Sequence, residues 1–445
     1  MIARDDLCER CGYLLGGEFH REACGVTDVT TADDETPFSA SSAFSATEAP
    51  YLVPNSAAFS GLAGDVVRAY EPLTEADPAA MLINTLVEFG SMVGPMSEAR
   101  AGSAKHPPAL FVALVGRSSR SRKGTSEREV SPLMAHVEED WERRHRVGGF
   151  GSGEAFIEHA ASEPGEAIYM VESELARVLV AASRDGSTAS AVLRAAWDFS
   201  RLEHRVRKQK YEAPAAPVSL MAHITADELV DARRGLHLVE AMNGFGNRVL
   251  WVHVDRRRII PSPEPIPEGV RNHLVVRLRA ALDAARAAGV VRRSPEAEEL
   301  WVDLYGQMAD DDPVGIVGAL TARAEAQVLR LSLLYALIDG QSTITRPHLE
   351  SAWEFWRYCR WSAQHLWVGS GSGDPDVDRV VGILMAGEVL TSTALDRMFY
   401  GHGDIPKLRA KVVASGVAEE VSRPTGGRDA VVLRLAEKAE KAEKA

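Results

Sequence analysis

The chain has 445 residues, 45% of them apolar and 25% charged, with a formal net charge of −13. This composition suits a globular protein of two or three domains, and four cysteines in such a length exclude a disulfide framework and fit a reducing cytoplasm. The negative balance argues against a surface coated in basic groups but leaves local basic patches open, because binding fields are set by local charge.

The charged opening, MIARDDLCER, lacks the apolar core of an export signal, and no uninterrupted apolar run reaches the length of a membrane span. Residues 1–26 form a candidate zinc knuckle. In CERCGYLLGGEFHREAC, Cys8 and Cys11 make a Cys-x-x-Cys corner, and His20 and Cys24 follow. Three thiolates and an imidazole suit a tetrahedral Zn²⁺; the competing reading is a remnant, since other zinc-ribbon features are missing. Residues 27–64, rich in Ser, Ala, Thr and Glu, read as a linker.

The body spans 65–368. PAAMLINTLVEFGSMVGP, 78–95, has helical spacing and stops at Gly-Pro. ALFVALVG, 109–116, is a continuous apolar run that predicts a buried parallel strand. EAIYMVESE (166–174), APVSLMAHIT (216–225) and NRVLWVHVD (247–255) predict three more. Strands separated by helical stretches predict an α/β sheet with its ligand at the carboxyl ends of the strands.

The first strand runs into LVGRSSRSRKGTS, 114–126. A phosphate cradle needs backbone N–H groups, a helix N-terminus, a Lys for the β/γ oxygens and a hydroxyl for Mg²⁺. Gly116 opens such a loop, Arg122, Lys123 and Gly124 form its basic end, and Thr125 or Ser126 supplies the hydroxyl. The spacing carries one residue too many, and 121 and 122 lack Gly, so a solvated basic turn is the competing reading.

Phosphoryl-transfer sites place one carboxylate on Mg²⁺, on a neighbouring strand, and another to orient water. Glu172 and Glu174 close the second strand, and Glu172 with Thr125 is the Mg²⁺ candidate; the alternative is a pair of acids facing the following helix dipole. On the third strand, His223 is a candidate sensor between the acids and the terminal phosphate, whereas Thr225 and Glu228 read as a capping box. Arg248 is either an arginine finger reaching across a subunit edge or a structural ion pair. SRLEHRVRKQKYE, 200–212, gathers Arg205, Arg207, Lys208 and Lys210 in a loop that meets phosphates in a ring pore or is a solvated hairpin tip. DRRRII, 255–260, reads as an exposed turn, and Cys359 as core.

GSGSGDP, 369–375, is a flexible hinge. Residues 376–436 carry helix, helix, helix and two strands around RPTGGRD, the pattern of a winged helix. Lys407, Arg409 and Lys411 on its third helix and Arg428 in the wing are candidate phosphate contacts; a protein-docking module would need no basic face. The tail, 437–445, carries no function.

Several short motifs in one order give the body a family resemblance. They are FGSMVGP, RKGTS at 122–126, Ser152-Gly153-Glu154, the acid-ended strand, and Arg184, Thr188, Ser190 and Arg194 to Asp198 in SRDGSTASAVLRAAWD. His-Ile-Thr at 223–225, Asn-Gly-Phe-x-Asn-Arg at 243–248 and RLSLLYALIDG at 330–340 complete the series. Residues 78–368 thus resemble the RecA-like ATPase module of helicases and primase–helicases from actinobacterial phages, plasmids and integrated elements.

The resemblance implies a RecA-like P-loop NTPase core with a preceding helical segment and a C-terminal helical lid, beside the small winged helix. It implies ATP and Mg²⁺ as cofactors, DNA (single-stranded or duplex) and a separate primase as partners, a ring-shaped homo-oligomer and no membrane. The expected function is an ATP-dependent DNA helicase or nucleic-acid remodelling ATPase of a mobile element. Two other functions fit the same residues: a DNA-binding replication initiator or regulator that uses ATP as an assembly switch, and an ATPase effector in phage defence.

Overall fold

A computed structural model describes residues 53–118, 120–182, 184, 186–206, 209–230, 244–310, 315–367, 376–377, 380, 383–384, 390–399, 405–414, 418–423 and 430–435. The candidate zinc ligands Cys8, Cys11, His20 and Cys24, and Arg207, Lys208 and Arg428, lie outside these residues.

Five strands make the central sheet: β1 (Phe111–Val115), β2 (Arg146–Val147), β3 (Ile168–Glu172), β6 (Val218–Ile224) and β7 (Val249–His253). Between β3 and β6 in the chain lies an antiparallel hairpin, β4 (Leu202–Val206) and β5 (Gln209–Ala213). The sheet order is β2-β3-β6-β1-β7, and every pairing is parallel. Every residue of β1 and β6 is buried, so their sequences read as continuous rather than alternating apolar runs.

The pleat divides the helices between two faces. Leu110, Val112 and Leu114 pack with Leu250 and Val252 against α1 (Gly61–Tyr70), α2 (Pro78–Val93) and α3 (Lys123–Val137). Phe111, Ala113 and Val115 pack on the other face with α4 (Gly153–Ser162), α5 (Leu175–Ala182) and α6 (Ala189–Trp197). The chain then adds α7 (Glu268–Ala287), α8 (Pro295–Asp310), α9 (Ala324–Ile338) and α10 (Arg346–Trp367). The predicted α/β sheet with helices on both faces is therefore present.

Helix α2 starts at Asp77, whose carboxylate accepts from Ala79 N–H at 2.8 Å, and carries Pro at its first position. It ends at Gly94 with φ +66°, a conformation that favours glycine. Gly90 has a different reason to be glycine: a Cβ there would lie 2.3 Å from Leu334 Cδ2 and from the Pro108 carbonyl. The Gly-x-x-x-Gly of FGSMVGP thus seats α2 against α9 and stops it. Among the described residues, Pro78–Met96 is the one helical stretch long and apolar enough to cross a membrane, and it is a core element, with every residue from Ala79 to Val93 buried.

The C-terminal module has its own core, built from Val377, Leu384, Leu395, Leu408, Val412 and Leu433 among others. Its order is β8 (Leu390–Thr391), α11 (Ser392–Met398), α12 (Ile405–Ala414), β9 (Ala418–Arg423) and β10 (Ala430–Leu435), with the antiparallel sheet ordered β8-β10-β9. The Thr391 hydroxyl caps α11 through Ala394 N–H.

Candidate functional site

From β1 the chain crosses to the far edge of the sheet at β2, with α3 on one face. It then steps back through β3 and β6 to β7, with α4 to α6 on the other face. The direction of winding changes at β1, and the crevice beyond the carboxyl end of such a strand is where open α/β sheets bind ligands.

The described residues of the loop, 116–118 and 120–122, occupy that crevice. Gly116 sits tightly, because a Cβ there would lie 2.4 Å from the Val254 carbonyl and 2.7 Å from Ser121 Cβ. Arg122 has φ +54° and ψ +29°, the left-handed turn usually given to glycine, and α3 begins at the next residue. The loop therefore makes the turn that the absent Gly would make. No side chain caps α3, and the Thr125 N–H turns back to the Arg122 carbonyl at 2.9 Å.

Lys123 folds back over this turn, its Nζ donating to the Gly116 carbonyl at 2.6 Å. Burial presses the Lys123 ammonium below its ordinary pKa, and the Glu228 carboxylate works against this. The two candidate hydroxyls separate: Ser126 is fully buried, accepting from Asn84 Nδ2 at 3.0 Å and donating to the Lys123 carbonyl, whereas Thr125 is half-buried. Arg122 pairs with Glu75 at 2.7 Å. If the turn at 122 matters as backbone, Arg122→Gly keeps nucleotide affinity and Arg122→Val loses roughly tenfold, since a β-branched residue resists this conformation by ~1–2 kcal/mol. Equal affinities in a titration of both variants would assign Arg122 no conformational role.

Sequence reasoning puts the acids on a strand beside β1; the structure inserts β6 between them. Glu172 ends β3, level with Ala222, and lies about 10 Å, two strand spacings, from β1. Its carboxylate is buried, accepts from Glu174 N–H at 3.0 Å and lies against Gly149. Glu174 is exposed, just before α5. His223 is on the inserted strand, level with Leu114, and faces α3. Thr225 and Glu228 form the predicted capping box, with Thr225 N–H to Glu228 and Glu228 N–H to Thr225 Oγ1 both at 3.1 Å.

Beneath the loop is a polar network that sequence reasoning missed. Glu127, one turn after Lys123 on α3, lies 3.9 Å from His223 Nε2 and pairs with Arg146 of β2, which also holds Glu142. Burial pulls His223 below its ordinary pKa, the Glu127 charge opposing. Deeper, the Ser131 hydroxyl donates to fully buried Glu88 at 3.0 Å. Burial pushes the Glu88 carboxyl up to about 8, against the Ser131 hydrogen bond. The signal available was Glu88 itself, a lone acid inside the apolar run of α2.

The folded chain thus holds the Glu88 proton to about pH 8, whereas an unfolded chain releases it in the ordinary carboxylate range. This group's contribution to stability falls as pH rises through that window. Glu88→Gln keeps a neutral hydrogen-bonding side chain, so its melting temperature relative to the parent rises from about pH 5 to pH 8. A difference that stays constant across the window would mean that Glu88 holds no buried proton.

Arg248 lies at the opposite end of the sheet, just before β7, about 17 Å of strand from its own loop. It is buried and takes the ion-pair option, donating to both Asp198 oxygens at 3.3 and 2.5 Å and to the Gly244 carbonyl. The basic stretch 200–212 is the β4–β5 hairpin; Arg205 is exposed, and Lys210 lies between Glu203 and Glu212. DRRRII is a turn held by acids: Arg256, Arg257 and Arg258 pair with Glu75, Asp77 and Glu71. In the C-terminal module Lys407 and Lys411 are exposed one turn apart on α12, while Arg409 is tied to Glu420 and Ser392. Cys359 is core.

The structure therefore brings Gly116, Arg122, Lys123, Gly124, Thr125, His223, Glu172 and Glu174 to one edge of the sheet, and leaves Arg248 at the other. Among the described residues, no cluster of His, Cys, Asp or Glu forms a ready metal site. Compared with known proteins, the chain matches no family model, and no curated protein matches it significantly.

Proposed function

We propose that this chain binds ATP with Mg²⁺ at the loop 116–125 and hydrolyses it to move along or remodel nucleic acid, as a RecA-like ATPase working in a ring-shaped homo-oligomer. One observation carries the reading. At the strand where the winding changes direction, a loop with a left-handed residue leads into an uncapped helix that begins with Lys123. Thr125 supplies the Mg²⁺ hydroxyl, Glu172 the acid, and His223, on the strand between, the polar group that reports the terminal phosphate. ATP would supply the phosphoryl group transferred to water, with ADP as the leaving group, and Mg²⁺ would neutralise its charge; the chain's residues bind and orient them.

The C-terminal module supports the DNA part. Its strand–helix–helix–strand–strand order is that of a winged helix, and Lys407 and Lys411 give α12 a phosphate-facing side. The hairpin supports it less, because Glu203 and Glu212 answer Lys210.

A second reading, the ATP assembly switch of a DNA-binding initiator, draws on Glu172, whose carboxylate is held by Glu174 N–H against Gly149. ATP hydrolysis with and without single-stranded DNA, together with the native mass, decides. DNA-stimulated turnover by an oligomer supports the motor. ATP-dependent assembly without turnover supports the switch, and a chain that does not bind ATP sinks both.

A further inference from the structure

The N-terminal edge of the sheet, away from the loop, holds an unusual charge arrangement. The guanidinium groups of Arg248, Arg323 and Arg330 all lie over the Trp197 ring, at 5.6, 5.3 and 3.8 Å from its centre. Arg248 is 5% exposed and Arg330 1%. Arg330 donates to the carbonyls of Ala109 and Trp197 at 3.0 and 2.6 Å. Among the described residues, two of the three pair with a carboxylate, and it is the same one, Asp198, at 2.5 Å from Arg248 and 3.5 Å from Arg323; Arg330 has only its two carbonyls. Arg194, on α6, adds a fourth positive charge to the same field.

Arginine does not shed its proton readily, so a buried group of guanidiniums calls for anionic partners. Among the described residues, one carboxylate is too little charge for three buried or half-buried cations. The field is visible on its neighbours. Burial pulls His106 down to about 4, with Arg330 adding to the shift, and burial lowers Arg330 to about 9 against the Asp198 charge. The cluster also has a way in: the side chains of Arg323 and Asp198 are 36% and 35% exposed, so solvent reaches the group at the point where its one carboxylate sits.

We propose that this cluster is a receptor for a phosphate-type oxyanion, in which Asp198 holds the place that the oxyanion takes. Arg248 grips both Asp198 oxygens with its forked N–H donors, and Arg323 brings one guanidinium nitrogen within 3.5 Å of one of them, a donor set that phosphate oxygens satisfy as well as a carboxylate does. Asp198, at the exposed end of α6, turns out to solvent when the oxyanion enters. The ligand is either free phosphate or the terminal phosphate of a nucleotide carried by a second copy of this chain. For free phosphate the inference is independent of the loop reading; for a second copy's nucleotide it rests on that reading.

The test removes the loop's own contribution by working in Lys123→Ala. Phosphate is titrated in chloride buffer at constant ionic strength, with thermal unfolding as the readout, for this chain alone, with Asp198→Asn and with Arg323→Gln. The expected result is a saturable rise in melting temperature. It becomes roughly tenfold more sensitive to phosphate in Asp198→Asn, which removes a competing charged acceptor, and is lost in Arg323→Gln. Equal responses in all three chains overturn the proposal, because phosphate then acts only as a general stabilising salt. An Asp198→Asn chain that loses stability and regains none of it in phosphate also overturns it, since Asp198 is then a plain structural partner. Native mass of the chain with intact Lys123, with ATP and with or without Arg323→Gln, separates the two sources. An ATP-dependent oligomer that Arg323→Gln abolishes assigns the oxyanion to a neighbouring copy's nucleotide, and an unchanged mass assigns it to free phosphate.

Discussion

Lys123→Ala is expected to lower ATP affinity by roughly a hundredfold, the worth of a charge-assisted contact of about 3 kcal/mol, while the chain stays folded. The argument begins with where the ammonium sits. Lys123 is the first residue of α3, and its Nζ donates to the carbonyl of Gly116, so the side chain closes the loop on itself. Burial already presses its pKa down, with only Glu228 favouring the charge. A phosphate entering the turn exchanges a carbonyl partner for an anionic one and restores the field that burial removed. The alanine variant keeps the turn at Arg122 and the N–H groups of α3, but lacks the cation. Isothermal titration of ATP and Mg²⁺ measures the difference, and thermal unfolding checks the fold. An unchanged affinity would make 114–126 a basic turn and remove the ground for the ATPase reading.

The elements at this site were legible because each is local. β1, β3, β6 and β7 are short apolar runs ending in polar residues, and a parallel strand buried on both faces has no other appearance. The capping box of Thr225 and Glu228 is a spacing of three residues and was equally readable. β2 was not, because two residues carry no period. Nor was the strand order. Sequence placed the acids beside the loop strand, and the insertion of β6 is set by crossovers that pack whole helices on one face or the other. The network of Glu127, Arg146 and His223 joins three elements 19 to 96 residues apart, and Glu127 on α3 reads by itself as a surface acid. The sequence marks Arg248 as an arginine finger or an ion pair, but its partner Asp198 is 50 residues away in the chain. Pairing at that range comes from packing and has no local signature.

Glu172→Gln is expected to leave ATP binding within a few-fold of the parent and to lower turnover by roughly 10²–10⁴-fold, the range for losing a positioned acid–base group. Two carboxylates end this segment, and the structure gives them different surroundings. Glu172 is buried at the carboxyl end of β3, and its Oε1 accepts the Glu174 N–H. Glutamine has the same shape and keeps an oxygen to accept that bond, so the turn into α5 survives and only the negative charge is lost. That charge is what a Mg²⁺ ion or an attacking water needs at this edge. Glu174 is exposed at the start of α5, where an acid favours the helix dipole by ~0.3–1 kcal/mol. Glu174→Gln should therefore cost a little stability and leave turnover within about threefold, the rate equivalent of less than 1 kcal/mol. Steady-state phosphate release from both variants, with ATP affinity measured alongside, separates the roles. Parental turnover in Glu172→Gln would return both acids to the helix terminus. A parent that binds ATP without turning it over would leave Glu172 as a buried cap and favour the assembly switch. With a slow Glu172→Gln and a near-normal Glu174→Gln, the acid that ends β3 is the one that acts, across the inserted strand from Lys123.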